Sequence, residues 1–160
     1  MLQSYNKEQA ILRINRLSEQ GKEFVFIIDY LQDCSYIEET NRLDSSFVLY
    51  NLNGFTNQDS IFPLRKTAVQ WNIDFPPFDQ YKPSFDYVLE NIRGGNSFLT
   101  NLTCRTLITT NLSLKEIFYH SKAMYKLWLK DAFVVFSPEI FVRIKGRKIY
   151  SYPMKGTIDA

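Results

Sequence analysis

Two short runs, Glu139–Ile144 and Lys148–Tyr152, are separated only by Lys145-Gly146-Arg147. Strands joined by so short a connection pair antiparallel, because a parallel crossover needs a dozen residues or more. The rest of the chain has the same character. Short apolar runs alternate irregularly with helical patterns, and no regular βαβ unit is formed. The order of elements points to an α+β fold with a largely antiparallel sheet and flanking helices.

The first helix is predicted over Lys7–Glu19, where Ile11, Leu12, Ile14 and Leu17 recur at near-helical spacing and Gly21 follows as a stop. Glu23–Asp29, EFVFIID, reads as a buried strand, 31–45 as loop, and Phe47–Tyr50 as a strand closed by the Asn-rich stretch to Gly54. Thr67–Phe75 reads as a strand broken by Pro76 and Pro77. Ser84 is placed to cap a helix over Phe85–Arg93, with Gly94-Gly95 ending it. Ser97–Ile108 reads as a long strand. Ser113 and Glu116 form a capping-box pattern for a helix from Leu114 to about Leu129. Ala132–Phe136 is predicted as a strand ahead of the hairpin.

The 160 residues suffice for one domain with a real core, and 45% of them are hydrophobic. A net charge of +2 lacks the basic excess of a nucleic-acid or membrane surface. No apolar run is long enough to span a bilayer, and MLQSYNKEQA lacks the apolar stretch of a signal peptide. Cys34 and Cys104 are far apart with no CxxC, which argues against a disulfide framework or a zinc site and fits a reducing cytoplasm. His120 is the single histidine and no GxSxG accompanies it, and neither a GxGxxG nor a Walker loop is present.

Two residues flanking the hairpin are chemically suggestive. Glu139 follows Ser137-Pro138, and a carboxyl there could serve as a general acid if burial raised its pKa. Lys155 stands between Pro153-Met154 and Gly156-Thr157, and a desolvated lysine can lose its proton and become a nucleophile. Gly156 lets a backbone approach a ligand closely, and Thr157 offers a hydroxyl or N–H to a carboxylate. Spacing alone leaves the plainer readings in front: an exposed glutamate at a strand end and a solvated lysine.

The segment FVVFSPEIFVRIKGRKIYSYPMKGTIDA resembles the chorismate-binding enzymes, which share Ser-Pro-Glu-x-Phe, a hairpin, and then Pro-(Ile/Met)-Lys-Gly-Thr. Upstream, IRGGNSFLTNLT (92–103) is similar to that family's Ile-x-x-Gly-(Asp/Asn)-(Ser/Thr)-(Tyr/Phe)-x-x-Asn-Leu-Thr segment. Order and spacing agree over 84–160. Lysine before Gly-Thr resembles aminodeoxychorismate synthase component I, also called para-aminobenzoate synthase component I, whereas anthranilate synthase usually has alanine there.

The resemblance implies an incomplete half of the anthranilate synthase component I-like fold. Residues 1–160 would be the N-terminal part of a single chorismate-binding domain whose C-terminal half is absent, and so inactive alone. It further implies a step of folate biosynthesis, in which chorismate and ammonia give 4-amino-4-deoxychorismate. Lys155 would be the nucleophile, Glu139 the acid, and Gly156 and Thr157 substrate contacts. Magnesium would be bound by the complete enzyme, with ligands in the absent half. Ammonia would come from a glutamine amidotransferase partner. An isolated half-domain would also be prone to self-association through exposed sheet edges and apolar faces. Leu99 stands where the family often has glutamine, and FIIDYLQDCS replaces the Leu-Leu-Glu-Ser of the tryptophan site in larger relatives, so no tryptophan site is implied.

Overall fold

The computed structural model describes residues 2–59, 68–137, 140 and 142–152. The chain opens with β1 (Ser4–Tyr5), α1 (Lys7–Glu19), β2 (Phe24–Ile28), β3 (Ser35–Glu39), β4 (Val48–Leu52) and β5 (Phe55–Thr56). Next come β6 (Trp71–Asp74), α2 (Phe78–Arg93), β7 (Leu107–Thr110) and α3 (Leu114–His120). The remaining strands are β8 (Tyr125–Leu129), β9 (Phe133–Ser137), β10 (Val142–Lys145) and β11 (Lys148–Ser151). Every strand pairing among the described residues is antiparallel, as expected for the α+β class. The described residues fall into two compact units, one from 1–64 with 114–139 and the other from 65–113 with 140–160.

In the first unit, Asn6 starts α1 through a reciprocal cap. The Gln9 N–H donates to Asn6 Oδ1 at 3.0 Å, and the Asn6 N–H donates to Gln9 Oε1 at 3.2 Å. Gly21, with φ of 63°, ends it, since the left-handed turn lets the Lys22 and Gly21 N–H groups reach the carbonyls of Leu17 and Ser18. Ala10 and Leu17 of the helix pack with Ile37 of β3, joined by Tyr5, Ile14 and Phe24. The three-stranded sheet has the order β1-β3-β2.

A second sheet of the same unit has the order β5-β4-β8-β9. Its core is Leu49 of β4, Phe118 of α3 and Trp128 of β8, with Tyr119 and Val134 packed around them. Burying an aromatic such as Phe118 fully is worth about 1.5–3 kcal/mol. Asn53 and Gly54 turn β4 into β5 with both φ angles positive, the conformation a two-residue hairpin loop requires.

The second unit contains α2, the β6–β7 pair and the β10–β11 hairpin. Asn111 ties the chain ahead of β6. Its amide donates to Ala68 O at 3.1 Å and its carbonyl accepts from the Gln70 N–H at 3.0 Å. None of this unit's described residues is buried, and Trp71, Ile73, Phe85, Leu107, Ile108, Ile144 and Ile149 are all exposed.

Several expected elements are corrected. The stretch 31–45 holds β3 and is not wholly loop, because Ser35–Glu39 pairs with β2 along its length and with β1 at its start, although two of its three inward residues, Ser35 and Glu39, are polar. The Glu23–Asp29 run does form a strand, but Phe26 and Ile28 are exposed. The helix expected from Phe85 begins at Phe78 and runs through Pro83 without breaking. The long strand over Ser97–Ile108 is irregular up to 106 and regular only from Leu107. The helix expected from Leu114 to Leu129 stops at His120, and residues 125–129 form β8 instead. Tyr125-Lys-Leu-Trp-Leu pairs on both sides, with β4 and with β9, and those two ladders outweigh one more helical turn.

Candidate active site

The predicted hairpin is present. Val142 pairs with Ser151, Arg143 with Tyr150, Ile144 with Ile149 and Lys145 with Lys148. Gly146 and Arg147 form the turn with φ of 56° and 61°, the double left-handed geometry that matches the twist of the two strands. An antiparallel register returns the chain to the end where it entered. Glu139 lies three residues before the entry at Val142, and Lys155 lies four after the exit at Ser151. Their separation of sixteen residues in sequence thus contains a closed hairpin. Glu139, Lys155, Gly156 and Thr157 themselves lie outside the described residues.

The chain ahead of Glu139 is described up to Ser137. β9 runs beside β8 with Lys126 opposite Phe136 and Tyr125 opposite Ser137. Ser137 is two residues short of Glu139. The motif over 92–103 begins as the last turn of α2, where the Gly94 N–H donates to Glu90 O at 2.8 Å and Gly95 takes φ of 76°. Beyond it the Ser97 hydroxyl donates to Leu99 O at 3.0 Å, and the Leu99 side chain is exposed.

One lysine that the sequence reading did not single out stands apart. Lys126, the second residue of β8, is 6% exposed. Its ammonium donates to Phe118 O at 2.8 Å and to Ser121 O at 2.9 Å, and lies 4.5 Å from the centre of the Phe118 ring. Burial pushes its pKa down, while the two acceptors and the ring face favour the charged form. The available signal was alternation: in YKLWL, Lys126 occupies the same strand face as Trp128.

Among the described residues, no group of three or more His, Cys, Asp or Glu side chains could hold a metal ion. They offer no donor set for magnesium, and no step is assigned to it. Cys34 and Cys104 are free thiols. No helix among the described residues is long and apolar enough to cross a membrane.

Comparison with known proteins decides the family, because the model of the chorismate binding enzymes matches residues 9–160. The chain belongs to the chorismate binding enzyme family. An uncharacterized PabA-like protein of Haemophilus influenzae is 39% identical over 153 residues, which are 96% of this chain and 46% of that protein. A second, from Pasteurella multocida, is 37% identical over 161 residues, covering 94% of this chain and 46% of the relative. This family member therefore spans about half the length of the curated relatives it matches. No solved structure matches it.

Proposed function

We propose that this chain is the N-terminal part of an aminodeoxychorismate synthase component I, a cytoplasmic enzyme making 4-amino-4-deoxychorismate for folate. The observation that carries the reading is the hairpin that lies in sequence between Ser-Pro-Glu and Met-Lys-Gly-Thr, with Val142 paired to Ser151 at its open end. A neutral Lys155 amine attacks C2 of chorismate. The ring double bonds shift, the C4–O bond breaks, and Glu139 gives its proton to the departing hydroxyl, which leaves as water. Ammonia then adds at C4, the double bonds shift back, the C2–N bond breaks to release Lys155 as a neutral amine, and the new ammonium returns a proton to the Glu139 carboxylate. The sum is chorismate plus ammonia to 4-amino-4-deoxychorismate plus water.

This chemistry needs opposite tuning, an amine without its extra proton and a carboxyl that keeps its own. A sheltered, partly apolar cavity would move both pKa values in the required directions. Gly156 and Thr157 would contact the substrate, and a glutamine amidotransferase would supply the ammonia. Magnesium would be held by residues outside this chain.

The test is product identification with the full-length natural polypeptide, chorismate, magnesium and ammonia. The expected product is 4-amino-4-deoxychorismate. Formation of ortho-aminobenzoate would instead assign anthranilate synthase. A second reading, a self-associating half-domain without catalysis, is favoured by one observation: the second unit has no buried residue among those described.

A further inference from the structure

Lys126 holds a charge where an apolar side chain would avoid the cost of desolvation. The carbonyls it binds belong to Phe118, in the last turn of α3, and to Ser121 just past the helix. The final carbonyls of a helix lack partners within it and sit at the negative end of its dipole. The ammonium therefore caps α3 from the neighbouring strand. With two acceptors and the Phe118 ring around it, this amine is engaged and unsuited to attack a substrate. α3 packs against both β8 and β9. Lys126 is also cross-strand from Phe136, one residue before Ser137, where β9 ends.

We infer that Lys126 is a positioning residue, which clamps the end of α3 to β8 and thereby holds β9 in place up to Ser137, two residues before Glu139 in sequence. The inference rests on the reading of Glu139 as the acid. Small displacements of a catalytic group far exceed their structural size in rate, whereas uniform substrate binding is little affected.

The experiment compares Lys126→Met and Lys126→Gln with wild type in the full-length natural polypeptide. Two readouts are taken: amide exchange across Val134–Ser137 without substrate, and chorismate consumption whatever the product. In the folded Met variant, exchange across β9 rises, and kcat falls about tenfold while KM stays within about twofold. The Gln variant, which keeps an N–H donor, recovers part of the rate. If either exchange or kcat stays at the wild-type level while only the melting temperature drops, Lys126 merely supports the fold and the inference is overturned. Should the Met variant fail to fold, the Gln variant is read by the same criteria. An unexpected product would defeat the proposed function and leave the Lys126 comparison intact, because neither readout depends on product identity.

Discussion

Val142 and Ser151 face each other across the open end of the β10–β11 hairpin. The chain runs from Glu139 into the first and out of the second toward Lys155. This pairing turns a separation along the sequence into a common point of departure, and the account of the site depends on it.

The turn that sets this register is sensitive to its backbone. Gly146 has φ of 56°, and a Cβ added there would meet nothing within 4 Å. The cost of Gly146→Val is therefore conformational, about 1–2 kcal/mol. Asn tolerates the left-handed region and should be nearly neutral. In the full-length polypeptide, chorismate turnover should fall in Gly146→Val and persist in Gly146→Asn. Equal turnover in both variants would detach the hairpin from the site.

Phe118 is fully buried between Leu49 and Trp128. Phe118→Ala should lower stability by about 3–5 kcal/mol through lost burial and the cavity left behind. Urea unfolding followed by tryptophan fluorescence measures it. A loss below about 1 kcal/mol would mean that α3 does not form this core.

Alkaline pH should weaken the first unit through Tyr50. Burial raises its pKa above the ordinary 10.0, with the Glu23 charge adding to the rise. In the unfolded chain the phenol ionises first, so above about pH 10 the native state binds more protons. The contribution of Tyr50 is complete below that pH and is lost as pH climbs through the raised native value. Urea midpoints between about pH 9 and about pH 11 should fall less steeply in Tyr50→Phe than in wild type. Parallel slopes would contradict the assignment.

The second unit leads to a different expectation. With Ile73 and Ile108 exposed on the β6–β7 pair and no buried residue among those described, this 160-residue chain should self-associate. Light scattering is the check. Replacing both residues by Thr should shift the distribution toward monomer. A monodisperse monomer of the unaltered chain would rule out apolar pairing.

What the sequence revealed depended on how locally each element is determined. α1 was legible because Ile11, Leu12, Ile14 and Leu17 recur at helical spacing and Gly21 stops the helix, while the Asn6–Gln9 cap that fixes its start emerges only from the structure. The β10–β11 hairpin was legible because its turn tolerates few conformations. β3 was missed because Ser35 and Glu39 point inward, which reverses the usual alternation, and Lys22 and Arg42 make Glu39 acceptable there. β8 was read as helix because Tyr125 and Trp128 continue a helical spacing from Phe118, and only the ladders to β4 and β9 reveal the strand. For the candidate site, Glu139 and Lys155, which lie outside the described residues, were proposed by motif. Lys126 was not, because a lysine within a strand carries no motif and its burial depends on α3.

The central claim is that Lys155 becomes covalently attached to the ring of chorismate. Peptide mass spectrometry tests it in the full-length natural polypeptide, given chorismate and magnesium with ammonia withheld. The account predicts that the peptide containing Lys155 gains the mass of chorismate less one water, and that Lys155→Ala shows neither this adduct nor turnover. An unmodified Lys155 together with continued aminodeoxychorismate formation by Lys155→Ala would contradict it.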